Sequence, residues 1–178
     1  VVVGDGAELA TVRERARGTG VLNRNFFMYP PEAKSNMKDV MQAASALTSL
    51  FIDVPEMETN SANKFFDAMC AGRPILINYG GWQETLLRES NAGQRLPRDP
   101  REASQLIAGM AGNPDRLLKM GSNALALGRK RFSREVIVGL VADTIEASVI
   151  GRPRGQPSGR NRRAMPTSHN GSSHRGAY

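Results

Sequence analysis

The sequence predicts an α/β fold of Rossmann type, an open parallel sheet with helices on both faces. Three observations carry that expectation. Short apolar runs such as Val1–Val3, Leu47–Ile52 and Pro74–Asn78 alternate with longer helical stretches. The runs are short and largely apolar, as strands covered on both faces are. Most end in a turn rich in Gly, Pro or Asn, and in such sheets the turns at the carboxyl ends of the strands hold the ligand.

The elements follow in order. Val1–Val3 is a short strand, followed by Gly4-Asp5-Gly6. Ala7–Arg17 reads as a charged helix ended near Gly18 and Gly20. Phe26-Phe27-Met28 is a second strand, stopped by Pro30-Pro31. Met37–Ala44 is a helix with Ser35 or Asn36 as its N-cap. Leu47–Ile52 is the third strand, and a polar loop leads to a helix from about Ala62 to Ala71. Pro74–Asn78 is the fourth strand, Trp82–Glu89 a helix and Gln94–Leu96 a weak fifth strand. Helices over about Arg101–Ala111, Pro114–Leu127 and Ser133–Val149 close the body. Four turns are expected at the binding edge: Gly4-Asp5-Gly6, Tyr29-Pro30-Pro31, the Asp53–Ser61 loop and Asn78-Tyr79-Gly80-Gly81. The first lacks the third Gly of the dinucleotide fingerprint, since Leu9 stands there.

Composition narrows the chemistry. The chain has 178 residues, 40% of them hydrophobic, enough for one core. A single cysteine, Cys70, excludes a disulfide scaffold and fits a reducing, cytoplasmic setting. Cys70 lies in an apolar helical stretch, so a packing role is expected for it. No apolar run approaches the ~20 residues of a membrane span. Both histidines, His169 and His174, fall near the C-terminus, so residues 1–150 can hold neither a Ser-His-Asp triad nor a histidine metal site. The formal charge of +7 is uneven. Residues 151–178 hold six Arg and no acid, which leaves 18 basic against 17 acidic residues in 1–150. That basic stretch is rich in Pro, Gly and Ser and is expected to be disordered. It lacks the interleaved aromatics of single-strand nucleic-acid binders. The absence of an initiator Met before Val1 gives the expectation of a chain that begins inside a fold.

The informative segment runs from Glu58 to Gly81. Thr59, Asn60 and Ser61 are all capping residue types. Ala62, Phe65, Phe66 and Met69 recur at i, i+3, i+4 and i+7 and make an apolar stripe. Asn60, Asn63, Lys64 and Asp67 make a polar stripe beside it. A loop at the binding edge therefore feeds a helix whose first amides can hold an anion. A diphosphate there would bring a nucleotide sugar ring near Asp67, with Lys64 offsetting phosphate charge. The plainer reading is a solvated helix face with Lys64 and Asp67 as an i, i+3 ion pair.

The run Asp67-Ala68-Met69-Cys70-Ala71-Gly72-Arg73-Pro74-Ile75-Leu76, followed by Gly80-Gly81 and Glu84, resembles the signature of family-4 nucleotide-sugar glycosyltransferases. Val3-Gly4-Asp5-Gly6-Ala7-Glu8 and the Phe26–Pro31 stretch resemble the same C-terminal domain, and the Ser61–Phe66 variant is similar to bacterial enzymes of surface-polysaccharide assembly. The resemblance covers about residues 1–149. It implies the C-terminal half of a B-type glycosyltransferase fold, which binds a nucleoside-diphosphate sugar, while a separate N-terminal domain binds a glycan or lipid-linked acceptor. Asp67 would then hold the ribose hydroxyls, and the amides around Ser61 and Ala62 the diphosphate. Asn63 and Lys64 would belong to the same donor site. The turn with Tyr29 would flank the base, and Gly4 and Gly6 would line the cleft. No metal cofactor is implied. The chain alone would be incomplete and inactive, since the clamping Arg and Lys of the family precede the segment matched by Val1. Peripheral association with the inner face of the membrane stays open as a partner reading.

One departure concerns the acidic pair. The family pattern spaces two carboxylates eight residues apart, which places the first at Thr59. Glu58 is one residue early and Glu56 three early. Either the loop re-aims Glu58 as the catalytic carboxylate or the chain does without that group. Two other functions compete. One is a non-hydrolysing nucleotide-sugar epimerase. The other is a non-enzymatic α/β interaction module whose basic arm contacts nucleic acid or an anionic membrane.

Overall fold

The computed structural model describes residues 1–149; the basic stretch expected to be disordered lies outside the described residues. The chain divides into two units, Val1–Val138 and Gly139–Tyr178. The elements are β1 (Val2–Val3), α1 (Leu9–Gly18), β2 (Met28–Tyr29), α2 (Lys34–Ala43), β3 (Leu47–Ser49), a 3-10 turn (Pro55–Thr59), α3 (Asn63–Ala71), β4 (Ile75–Ile77), α4 (Trp82–Ser90), β5 (Gly93–Arg95), α5 (Pro100–Ala111), α6 (Pro114–Phe132) and α7 (Arg134–Val149). The strand–helix alternation is the expected one, and every strand pair is parallel. The strands nevertheless form two sheets among the described residues, β1-β2 and β3-β4-β5, instead of one. Neither β1 nor β3 has a second strand partner to join them.

The core is built around β4. Side chains on a strand point alternately to its two faces. Ile75 and Ile77 pack in one cluster with Phe65, Ala68 and Met69 of α3, Leu86 and Leu87 of α4, and Ala124 and Leu127 of α6. Leu76 packs in a second cluster with Leu96, Met110 of α5 and Met120 of α6. The three-stranded sheet is thus covered on both faces, which explains why Ile-Leu-Ile carries no polar residue. Burying each Ile, Leu, Phe or Met side chain among these contributes roughly 1.5–3 kcal/mol.

Helix ends obey local chemistry, with some corrections. Asp99 caps α5 by accepting from the Arg101 and Glu102 amides at 2.9 and 3.0 Å. Asn113 caps α6 by accepting from the Arg116 amide at 3.0 Å, and a proline opens each helix. Neither Ser35 nor Asn36 caps α2, which starts earlier at Lys34 behind Ala33. Asn36 Nδ2 instead donates to Glu32 Oε2 at 3.0 Å. α6 continues past the expected Leu127 to Phe132 because Phe132 has aromatic partners in Phe66 and Trp82. Its last turn carries Arg129, Lys130 and Arg131, which suit the negative end of the helix dipole. Cys70 is exposed and does not pack in the core. It lies five residues after Phe65, well off the buried stripe of Phe65 and Met69. Along α7, Ile137, Leu140, Val141, Ile145 and Val149 are exposed. Among the described residues no helix is long and apolar enough to cross a membrane.

α6 lies close against the end of α3. A β-carbon on Gly121 would stand 2.3 Å from the Gly72 carbonyl oxygen, so only glycine fits. Gly72 itself closes α3 in the left-handed conformation, with φ 64°. By contrast, a β-carbon on Gly109 in α5 would meet nothing within 4 Å. Two alanine variants should therefore move stability in opposite directions in urea unfolding followed by circular dichroism. Gly121→Ala should lose about 1–3 kcal/mol. Gly109→Ala should gain up to about 1 kcal/mol from helix propensity.

Candidate functional site

The site grows from the carboxyl ends of β3 and β4. Their backbone ladder stops at Ser49 and Ile77, short of the expected Ile52 and Asn78. A side chain takes over the next rung. The Phe51 amide donates to Asn78 Oδ1 at 2.9 Å, and Asn78 Nδ2 donates to the Phe51 carbonyl at 2.9 Å. This frees the chain after Phe51 to turn out into the 55–61 loop. Beneath it, the buried Tyr79 hydroxyl donates to Gln83 Oε1 and accepts from Ser49 Oγ at 3.1 Å. Burial pushes the Tyr79 phenol above its ordinary value, and the Ser49 bond offsets part of that rise.

The loop is fastened to the start of α4. The Asn60 carbonyl accepts from Trp82 Nε1 at 3.0 Å and from Gln83 Nε2 at 3.3 Å. Gly81 adopts φ +83°, and a β-carbon there would stand 2.1 Å from the Glu58 carbonyl oxygen. Residue 81 must be glycine for the loop to approach this closely. The Glu58 carboxylate lies over Gly80, with Oε1 3.0 Å from where a β-carbon would be. Glu84 and Arg95, an ion pair at 3.1 Å, stand at the same glycine. Arg98 pairs with Asp53 at 2.5 Å nearby in sequence, and Glu84, Arg95, Leu96, Pro97 and Arg98 line an open cavity of about 280 Å³.

The same loop shapes the entry to α3. Asn60 Oδ1 accepts from the Ala62 amide at 3.0 Å, a side-chain turn just before the helix. The N-cap position is then Ala62, which has no side-chain oxygen to offer. None of Thr59, Asn60 or Ser61 occupies it, although all three are capping types. The amides of Asn63 and Lys64 open the helix and have no intrahelical partner. They sit at its positive end. Asn60 engages the Ala62 amide, one of the two amides expected to meet a ligand. Lys64 is exposed and Asp67, one turn on, is half-buried. The two form no ion pair, and Lys64 points its charge into solvent.

The other expected site residues form a separate group. The Gly4 amide donates to the Tyr29 carbonyl at 3.1 Å, which joins the turn after β1 to the end of β2. The Gly6 amide donates to Asp5 Oδ1 at 2.8 Å, and the Gly6 carbonyl accepts from the Leu9 amide at 3.0 Å. Tyr29 is 52% exposed. Among the described residues, no hydrogen bond or ion pair joins the Gly4, Gly6 and Tyr29 group to the Glu58, Ser61, Ala62, Asn63, Lys64 and Asp67 group. Trp82 and Gln83 are positioning residues that the sequence did not point to, and Asn78 was expected only as part of a turn. The only signal was Gly80-Gly81, which marks a close approach without naming its partner.

In sequence, no family profile and no curated protein matches the chain. In structure, the chain is similar to Anabaena HepE crystallised with UDP-glucose. The TM-score is 0.68 at 19% identity, covering 82% of this chain and 40% of that one. HepE crystallised with UDP and glucose gives a TM-score of 0.63 at 19% identity over 82% and 39% of the two chains. The fold is therefore the Rossmann-like α/β arrangement found in those structures. The chain spans about 40% of the HepE length.

Two measurements check this geometry. Trp82 is the sole tryptophan, so its fluorescence reports the seating of the loop. Gly81→Ala should shift that emission to the red and lower stability by about 2 kcal/mol or more, as a strained, overpacked contact requires. Tyr79 gives a pH dependence. Its folded pKa lies above the unfolded value of 10.0, so its contribution is complete below that pH and is lost as pH rises beyond it. Urea midpoints taken from about pH 8 to pH 11 should fall more steeply for the parent chain than for Tyr79→Phe, which has no phenol to ionise.

Proposed function

We propose that the chain is the nucleotide-sugar-binding part of a glycosyltransferase. It would transfer a sugar from a nucleoside-diphosphate sugar to a hydroxyl acceptor in polysaccharide or lipid-linked glycan assembly. The observation that carries the reading is the start of α3. The loop before it is tied down by Asn60, no side chain caps it, and Lys64 and Asp67 flank it. The family-4 resemblance of Asp67–Leu76 and the likeness to HepE, a protein crystallised with UDP-glucose, support the same reading.

The chemistry follows from charge. As the sugar departs, negative charge builds on the diphosphate oxygens. The Asn63 and Lys64 amides and the Lys64 ammonium offset that charge without reorganising. Asp67 accepts from the two ribose hydroxyls. Glu58, held over Gly80 by the seated loop, is the carboxylate available to the sugar. Tyr29, with Gly4 and Gly6, flanks the base side. The acceptor is bound by protein outside residues 1–149.

Titration of the isotope-labelled 178-residue chain with UDP-glucose tests the reading by amide chemical shifts. Shifts should concentrate at Asn63, Lys64 and Asp67. Asp67→Ala should weaken binding about tenfold or more, the loss expected for charged hydrogen bonds to a ligand. If neither uridine nor guanosine diphosphate sugars move those amides, the assignment is wrong.

A further inference from the structure

A reactive pair lies in the turn after β1. Asp5 and Gly6 stand between β1 and α1, outside any helix or strand, and both are exposed. The Gly6 amide donates to Asp5 Oδ1 at 2.8 Å and to no other group among the described residues. That bond holds a backbone nitrogen against the side-chain carboxyl group of the residue before it. Asp5 forms no ion pair among the described residues that would draw its carboxylate away. A β-carbon on Gly6 would meet nothing within 4 Å, so the turn stands clear of its neighbours.

The other aspartates are kept from the same approach. Asp5 alone among them is followed by glycine. Asp39, Asp67, Asp115 and Asp143 lie within helices, where the following amide is fixed. Asp99 accepts from two amides as a cap, and the next residue, Pro100, has no N–H to offer. Asp53 pairs with Arg98 and precedes the β-branched Val54. Asn60 stands in a loop as Asp5 does, but both of its side-chain polar atoms are engaged, by the Ala62 amide and the Met57 carbonyl.

We propose that Asp5 is a site of spontaneous isoaspartate formation. The Gly6 nitrogen bonds to Asp5 Cγ. The protonated Asp5 carboxyl gives up its hydroxyl group, which leaves as water with the Gly6 amide proton, and a five-membered succinimide ring closes. Water then adds at the former main-chain carbonyl of Asp5 and breaks its bond to the Gly6 nitrogen. The chain now runs through the Asp5 β-carbon and Cγ, and the main-chain carboxylate is free. One water leaves and one returns, so the mass is unchanged and nothing is oxidised or reduced. Glycine suits the second place because it sets no β-carbon beside the attacking nitrogen.

The product is longer by one main-chain carbon. The extra atom falls between the Gly4 amide, bonded to the Tyr29 carbonyl, and the Gly6 carbonyl, which accepts from the Leu9 amide at the start of α1. Ageing would therefore change the spacing of β1 and α1. The inference does not depend on the nucleotide-sugar reading.

The 178-residue chain is aged in neutral buffer, digested with trypsin and read by electron-transfer fragmentation, which separates isoaspartate from aspartate at equal mass. Isoaspartate should build up in the Val1–Arg13 peptide at least as fast in the native chain as in the same chain unfolded in urea. It should appear there before it appears at Asn60 or at any other described aspartate. Gly6→Ala, which has room for its methyl group, should lose most of the product while its circular dichroism stays that of the parent. The Asn170-Gly171 pair, outside the described residues, reports in a separate peptide. A native rate well below the unfolded one would overturn the proposal, because the fold would then shield the turn. An undiminished rate in Gly6→Ala, or earlier product at another described aspartate, would overturn it as well.

Discussion

The Glu58 carbonyl oxygen occupies the space that a β-carbon on residue 81 would need, 2.1 Å away, and much of the site depends on that contact. It lets the 55–61 loop lie directly on the start of α4. Trp82 and Gln83 can then both donate to the Asn60 carbonyl. Asn60, fixed in this way, turns its side-chain oxygen to the Ala62 amide. The entry to α3 follows from these steps, as does the place of Glu58 over Gly80. A glycine at residue 81 is thus felt eighteen residues earlier, at the mouth of another helix.

Polar groups around this contact are satisfied by side chains where backbone pairing ends. Asn78 stands in for a ladder rung at Phe51. Tyr79, Ser49 and Gln83 close a buried network that links β3 to α4. Buried polar groups of this kind cost several kcal/mol when unpaired and little when fully paired. The network therefore favours a single loop position.

Much of the fold was legible in the residues. Short apolar strands and amphipathic helices gave the parallel α/β class, and Pro114 marked one helix start, while the Asp99 cap and the Pro100 start of α5 came one residue before the expected Arg101. The segment from Glu58 to Gly81 stood out for its spacing. What was not legible depends on contacts between distant residues. The bond from Trp82 to Asn60 spans twenty-two positions and leaves no local pattern. The capping types Thr59, Asn60 and Ser61 gave three candidates for one place, and Ala62 took it because Asn60 was already engaged. The division into two sheets was hidden as well, since a strand's own sequence does not say which neighbours it lacks.

The proposed function requires that the seated loop present the first amides of α3 to a diphosphate. A crystal structure of the chain with UDP-glucose bound tests this most directly. Diphosphate oxygens are expected within about 3 Å of the Asn63 and Lys64 amide nitrogens, with the ribose against Asp67 and the Trp82–Asn60 bond intact. A diphosphate held instead by Arg95 and Arg98 in the cavity beside Glu84, or a loop lifted from Gly81 when the ligand binds, would contradict it.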